Sequence, residues 1–203
     1  MLDLKSIFIN EEFCAEAVSG TEMDELLAKG WRHFGTHFFR YNLGVYDFEI
    51  RPVIPLRIRF AKFSLSKSQR RVLRRNADLK TVIRPIEITR ETEAIFAKHK
   101  LRFRHGTPDS IYDFVSRAPA KIPCEAMEIR VYENENLLAA SFLDIAETST
   151  SGIYAIFDPK ASSRSLGIFT MLKEIEFSIE SGKLFYYQGY CYRFIQHLFY
   201  PDS

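Results

Sequence analysis

Nine basic residues and no acidic one lie between Ile50 and Ala77: Arg51, Arg57, Arg59, Lys62, Lys67, Arg70, Arg71, Arg74 and Arg75. The whole chain of 203 residues carries a net charge of only +2, so the remaining residues together carry −7, the difference between +2 and +9. A cationic stripe on an otherwise mildly acidic protein is the footprint of a polyanion such as nucleic acid. The plainer alternative is a solvated helix face. A second candidate is the loop 162–167, which precedes an apolar helical pattern. Backbone N–H groups at such a helix start can hold a phosphate, with Arg164 adding charge and Gly167 allowing close approach, while Ser163 or Ser165 could instead simply cap the helix. Asp158, at a strand end beside this loop, either orients an amine or caps a turn with Pro159. No Ser-His-Asp set, metal-ligand spacing or Walker loop is visible, and no metal or cofactor is expected. Cys14, Cys124 and Cys191 form no CxxC pair or disulfide framework, which points to a reducing, cytoplasmic setting.

The elements that must position these groups follow from periodicity. Thr21 to Gly30 reads as a short helix capped by Thr21, and Trp31 to Tyr41 as a hairpin around Gly35-Thr36. From Val53 to Phe60 apolar and basic residues alternate as in a strand with one buried face. Ser64 to Asn76 follows as a helix with Ser66 as N-cap. Arg70/Arg74 and Arg71/Arg75 then stack at i,i+4, a repulsive spacing that an anionic partner would relieve. Leu79 to Ile88 reads as a strand, and Arg90 to Leu101 and Pro108 to Arg117 as helices. Strands are expected over Cys124 to Tyr132, Leu137 to Ala146 and Ile153 to Phe157, with a turn at Asn134-Glu135-Asn136. Leu166 to Ser181 is an amphipathic helix with Ile168, Met171, Leu172, Ile175 and Ile179 as its apolar positions and Gly182 ending it, and Leu184 to Tyr187 is a strand. No stretch approaches the roughly 20 apolar residues of a membrane helix, and the N-terminus does not read as a secretory signal.

Strand, strand, strand, helix, strand in the C-terminal half is similar in order to the acetyltransferase-like (GNAT-type) fold. The expected class is therefore α/β (α+β): a mixed, largely antiparallel sheet flanked by helices, with a small N-terminal extension over 1–50 and the main domain over 51–203. In that fold neighbouring strand ends splay to form the substrate cleft. Gln188 or Tyr190, just past the last strand, would then donate to a carbonyl or a leaving hydroxyl, although Tyr190 could equally be packing.

Two segments resemble the arginyl-tRNA–protein transferases and their bacterial leucyl relatives. One is Ile54-Pro55-Leu56-Arg57-Ile58-Arg59-Phe60 continuing through Ser66-Lys67-Ser68-Gln69-Arg70-Arg71-Val72-Leu73-Arg74-Arg75-Asn76. The other is Tyr154-Ala155-Ile156-Phe157-Asp158-Pro159, Ser163-Arg164-Ser165-Leu166-Gly167, Gly182 and Tyr187-Gln188-Gly189-Tyr190. Gly30-Trp31-Arg32 with Gly35 adds to the likeness, which spans about residues 13–195. This chain departs from the family in three places. It lacks the cysteine cluster before the Pro-x-Arg strand, has Gln188 where Leu is usual, and ends in Gln196-His197-Leu198-Phe199-Tyr200.

The resemblance implies a reaction: an amino acid, Arg or Leu, passes from the 3′ end of an aminoacyl-tRNA to the N-terminal amine of a protein, often one beginning with Asp or Glu. The product is a degradation signal. Lys67, Arg70, Arg71, Arg74 and Arg75 are then the expected tRNA contacts, since arginine forks match phosphate. Arg57 and Arg59 could bind an acidic acceptor N-terminus, and His105 resembles the family's Arg-His pair. Asp158, Gln188 and Tyr190 are the catalytic candidates. An acyl-CoA N-acetyltransferase and a catalytically lapsed tRNA-binding relative are the alternatives. No membrane partner is expected, and the oligomeric state is left open.

Overall fold

The computed structural model describes residues 8–103 and 106–193. In chain order its elements are β1 (Asn10–Cys14), α1 (Gly20–Ala28), β2 (Arg32–Phe34), β3 (His37–Tyr41), β4 (Leu43–Tyr46), β5 (Glu49–Arg59), α2 (Lys67–Arg75), β6 (Lys80–Pro85), α3 (Arg90–Lys100), β7 (Ala126–Glu133), β8 (Asn136–Ile145), β9 (Ser149–Phe157), α4 (Leu166–Glu180) and β10 (Phe185–Tyr192). Capping boxes start three helices, with Ser19 and Glu22 at α1, Ser66 and Gln69 at α2, and Thr89 and Thr92 at α3. Each satisfies N–H groups that the first helical turn leaves free. The cap of α1 is therefore Ser19 rather than Thr21. The expected helix over 108–117 is a single 3-10 turn, Ile111–Asp113. Ser110 and Asp113 close a capping box within that one turn, and Pro119 bars Ala118 from continuing a helix. Ile111 and Val115 still reach the core.

Seven strands form one sheet in the order β4-β5-β10-β9-β8-β7-β6, and β1-β3-β2 form a separate small sheet. In the large sheet every neighbouring pair is antiparallel except β9 with β10, which α4 connects as a crossover. This is the acetyltransferase-like layout. The first 50 residues divide between the two sheets, because β4 pairs with β5 in the large one.

Alternation along β8 separates the two faces. Phe142 packs with Ile95 and Phe96 of α3, whereas Leu143 packs with Ile175 of α4 and Tyr186 of β10. Val72 of α2 joins Leu166 and Phe169 of α4. The small sheet sits on the α3 face, where Phe34 meets Phe114 edge-on at 5.0 Å. Among the described residues no helix is long and apolar enough to cross a membrane.

Asp24 and His33 are among the polar groups that dock the N-terminal elements onto the large sheet. Asp24 of α1 accepts hydrogen bonds from the Thr148 N–H (2.7 Å), the Thr148 hydroxyl (2.8 Å) and the Ser149 hydroxyl. His33 of β2 is buried, with Nδ1 2.8 Å from the Gly35 carbonyl and Nε2 2.9 Å from Asp144 Oδ2 of β8. Both ring nitrogens face acceptors, so the ring that satisfies them is the doubly protonated imidazolium. Burial pushes the His33 pKa down, but the Asp144 charge and hydrogen bond more than reverse this and leave it raised. A raised histidine pKa stabilises the fold fully below the unfolded value near 6.5, and that stability is lost as pH rises through the folded value. Replacing His33 by Ala strands a buried carboxylate and should cost about 3–5 kcal/mol. Denaturant titrations should show the gap between wild type and H33A shrinking as pH rises from about 6 to about 9. A gap independent of pH would contradict a charged His33.

Candidate active site at the gap between two strands

β9 and β10 pair over three residues only, Phe185–Tyr187 against Ser149–Ser151. Beyond that point a bulge interrupts each strand on its other side. The register of β8 with β9 jumps from Phe142↔Tyr154 to Leu143↔Gly152, leaving Ile153 extra. The register of β10 with β5 jumps from Tyr187↔Arg57 to Gly189↔Leu56, leaving Gln188 extra. Bulges bend and twist their strands, and two of them at the same level part β9 from β10. Gly189 has φ of +110°, a conformation that glycine alone adopts without strain.

A cavity lies on each side of the gap. The larger, about 570 Å³, is walled by α2 and α4 and by β9, and the smaller, about 160 Å³, lies under the small sheet. Gly152, Ile153 and Gln188 line both, so the two cavities share a wall at the bulges. The floor of the larger cavity holds Glu174 of α4 and Tyr186 of β10, whose hydroxyl donates to Glu174 Oε2 at 2.5 Å. Glu174 is 3% exposed, and burial, opposed by the Tyr186 hydrogen bond, lifts its pKa to about 7.

The smaller cavity is lined by Arg32, His33, Asp144 and Tyr190. Arg32 is 6% exposed, forms no ion pair among the described residues, and leaves Nε without a partner. Its terminal nitrogens donate to the carbonyls of Trp31 (2.5 Å) and Leu56 (3.3 Å), and its guanidinium lies 5.0 Å from the Tyr187 ring and 5.5 Å from the Tyr190 ring. His33, Cys124 and Asp144 place ligand-type atoms within 4.8 Å of one another. They satisfy each other instead: burial, then the Asp144 charge, hold Cys124 as a thiol, and it donates to Asp144 Oδ1 at 3.5 Å.

Above the larger cavity, α2 turns Ser68, Gln69 and Val72 inward and leaves its five cations exposed. Among the described residues none of Lys67, Arg70, Arg71, Arg74 and Arg75 forms an ion pair. Arg70 donates to the Leu65 carbonyl, Arg75 donates to the Ser163 carbonyl at 2.5 Å, and Asn76 bridges the carbonyls of Val72 and Arg164 at 2.9 Å each. An unneutralised basic helix is thus bolted to the loop before α4, at the mouth of a cavity that reaches the strand gap.

Residues 91–202 match the family described as arginine-tRNA-protein transferase, C terminus. The chain belongs to this family. Among curated relatives, the aspartate/glutamate leucyltransferase of Campylobacter jejuni (serotype O:6) is 27% identical over 194 residues, covering 93% of this chain and 78% of that protein. The proteins of the same name from Alcanivorax borkumensis and Saccharophagus degradans are each 29% identical, covering 92% and 98% of this chain and 76% and 82% of theirs. Among solved structures FemX has a TM-score of 0.54 at 12% identity, covering 93% of this chain and 65% of that one. The C-terminal domain of a putative lysylphosphatidylglycerol synthetase from Agrobacterium fabrum has a TM-score of 0.52 at 16% identity, covering 68% and 47%. These structural likenesses carry the acetyltransferase-type fold; the family makes the chain an aminoacyl-tRNA–protein transferase, with aminoacyl-tRNA as donor and a protein N-terminus as acceptor.

In this transferase the sequence candidates divide. Gly167 and Gln188 line the larger cavity, and Gln188 with Tyr190 lines the smaller. Tyr190, read either as a donor to the reacting group or equally as packing, gives its hydroxyl to the carbonyls of Gly30 (2.6 Å) and Phe39 (3.3 Å) and packs against Tyr41; burial raises its pKa to about 12. Arg164, expected to bind phosphate, is clamped by Asp78 (2.9 Å) and Glu133 (2.6 Å) and straps the loop in place. Ser165 takes the left-handed conformation and makes no side-chain cap. Arg57 stacks 4.8 Å over the Phe185 ring and lines neither cavity of the gap but, with Arg32 and Tyr187, a third one; Arg59 lines none of the three. His105 lies outside the described residues.

Asp158, read either as orienting the amine or as capping a turn with Pro159, caps the 3-10 helix Pro159–Arg164 and pairs with Lys98 at 2.9 Å. The Lys98 hydrogen bond, then that of the Lys160 N–H, lowers its pKa. Sequence reasoning missed Arg32, His33, Tyr186 and Glu174. The only hint was Arg32 within Gly30-Trp31-Arg32. Replacing Asp158 by Ala should cost about 0.5–2 kcal/mol of stability through the lost cap. It should leave the transfer rate per folded molecule within about twofold. A loss beyond about a hundredfold, the scale of a general acid–base group, would return Asp158 to the chemistry.

Proposed function

We propose that this transferase moves leucine from leucyl-tRNA to the α-amine of proteins whose first residue is Asp or Glu, in a reducing cytoplasm, and so marks them for degradation. The observation that carries the reading is the pair of cavities meeting at one strand gap, with opposite chemical linings. On the donor side α2 receives acceptor-stem phosphates through Arg71 and Arg74, with Lys67, Arg70 and Arg75 alongside. The 3′ end then enters between α2 and α4, where Gly167 lets backbone approach a phosphate or ribose. Val72, Ile168 and Met171 offer the donor side chain an apolar wall, and Ile168 is 48% exposed there. An arginyl side chain would want a carboxylate, and the one that lines this cavity among the described residues, Glu174, already accepts the Tyr186 hydroxyl at its floor. The names of the curated relatives point the same way for donor and acceptor.

On the acceptor side, Arg32 is a buried cation without an acidic partner among the described residues, in a cavity of a size for one side chain. A carboxylate there would pair with the guanidinium and offset its desolvation. The amine then lies at the shared wall, where Gln188 donates to the ester carbonyl. Positioning does most of the work, since an ester and a neutral amine react readily once aligned. The sparse, free cysteines Cys14, Cys124 and Cys191 support a reducing compartment.

Two measurements test this reading. Arg71→Ala with Arg74→Ala should weaken tRNA binding and flatten the slope of log affinity against log salt by about 2, from the lost phosphate contacts. An unchanged slope would remove α2 from the interface. Assays with radiolabelled leucyl- and arginyl-tRNA and peptides starting with Asp, Glu or Ala should show leucine entering Asp and Glu peptides. Arg32→Lys should raise the KM for those peptides about 10–100-fold, the scale of one hydrogen-bonded charge, without hurting residual transfer to Ala peptides. Equal loss on all three would mean that Arg32 only supports the fold.

A further inference from the structure

Glu174 is an odd residue for its position. It lies in the middle of α4 on the side that packs the sheet, next to Ile175 in the core, and it forms no ion pair among the described residues. A buried carboxylate without a cation is a cost to the fold, so its place calls for a use. Tyr186 holds it from below through the 2.5 Å hydrogen bond. Gly152 covers it from above: a Cβ on Gly152 would stand 2.7 Å from the Tyr186 hydroxyl and 3.2 Å from Glu174 Oε2. The missing side chain leaves the carboxylate directly beneath the strand gap. Among the described residues Asp144 is the other carboxylate lining the two cavities, and it is spent on His33 and Cys124. Asp158 is spent on Lys98.

We infer that Glu174 is the general base of the transfer, taking the proton of the acceptor amine at the strand gap, with Tyr186 as the residue that positions it. The acceptor ammonium first loses one proton to water. The amine nitrogen attacks the ester carbonyl carbon, a C–N bond forms, and the π electrons move to the carbonyl oxygen, where Gln188 donates. Glu174 takes the proton that the nitrogen sheds. When the carbonyl re-forms, the C–O bond to the ribose breaks with its electron pair on the ribose oxygen, and the proton held by Glu174 passes to that oxygen. One ammonium and one ester give one amide, one free ribose hydroxyl and one proton released.

The surroundings suit this task. Burial raises the Glu174 pKa to about 7, the Tyr186 hydrogen bond works against that rise, and the Asp144 charge adds to it. Among the described residues the other titratable group lining the cavity is Tyr154 of β9, while α2 contributes Ser68, Gln69 and Val72 and no charge to the lining. A base with a pKa near the working pH divides its time usefully between both forms.

The inference rests on the donor and acceptor meeting at the strand gap but not on which amino acid is moved. The test is therefore run with whichever charged tRNA and peptide the wild type turns over best, so a failure of the leucine or acidic-acceptor reading leaves it intact. Single-turnover rates are measured against pH with both substrates saturating. Glu174→Gln keeps the hydrogen bond from Tyr186; it should lower the rate about a hundredfold or more and remove one of the ionisations that slow the reaction on the acid side. Binding of charged tRNA should stay within about threefold. Tyr186→Phe removes the bond that holds the Glu174 pKa down, so the same ionisation should move to higher pH, and this variant decides the matter if Glu174→Gln does not fold. The inference is overturned if Glu174→Gln keeps the wild-type rate within about threefold and the same pH profile. It is also overturned if its defect lies wholly in tRNA binding, or if Tyr186→Phe leaves the acid limb in place.

Discussion

Where β9 and β10 part, the backbone groups of two adjacent strands lose each other as partners. An extra residue sits in each strand at the same level, Ile153 in one and Gln188 in the other. Backbone freed in this way must find another partner, and the edges of the gap become polar surface in the middle of a sheet. The fold tolerates the gap because glycines stand at its rim. Gly189 supplies the unusual backbone angle, and Gly152 makes room for the Tyr186–Glu174 pair beneath it. Everything else that concerns chemistry is arranged around this opening: a large cavity on the α4 face, a small one under the N-terminal sheet, and a wall common to both.

The electrostatics follow the same division. On the α4 face the cations of α2 are exposed and, among the described residues, unmatched, while Arg164, nearby, is matched twice by Asp78 and Glu133. The matched arginine is structural; it holds the loop to which Arg75 and Asn76 also bond, and so it fixes the angle at which α2 presents its charges. On the other face the unmatched charge is buried. Arg32 and Asp144 both line the small cavity, but Asp144 is committed to the His33 imidazolium. An exposed cationic helix suits an extended polyanion that arrives through screened, long-range attraction. A single buried guanidinium suits a compact anion that must be desolvated to bind.

Much of the fold could be read in advance. The strand and basic helix over 53–76, the cap at Ser66, α3, the β7–β8 hairpin and α4 are all local patterns, legible from alternation, capping residues and helical spacing. The site was harder because its parts are distant in sequence: His33 and Asp144 are 111 residues apart, and no spacing rule joins them. The helical pattern of α4 also misled. The apolar positions suggested that Ile168 and Ile179 face the core, yet both are about half exposed, and Phe169, Thr170, Glu174 and Ser178 are buried. The inward stripe is rotated and partly polar, as happens when a helix lines a cavity as well as a core. Charge counting likewise could not tell Arg164 from its neighbours, since the partners that neutralise it come from the turn after α2 and from β7. The bulges leave no mark in the sequence beyond two glycines.

The central claim is spatial: the acceptor end of a charged tRNA lies between α2 and α4 with its ester at the gap between β9 and β10. A photoreactive amino acid placed at Ser68, on the cavity side of α2, and a second at Lys121, which is exposed and lines neither cavity of the gap, test it most directly when cross-linked to leucyl-tRNA and mapped by sequencing. The Ser68 probe should mark the terminal 3′ nucleotides and the Lys121 probe should mark none. Cross-links from Ser68 confined to distant parts of the tRNA, or 3′-end cross-links from Lys121, would place the donor elsewhere and contradict the account.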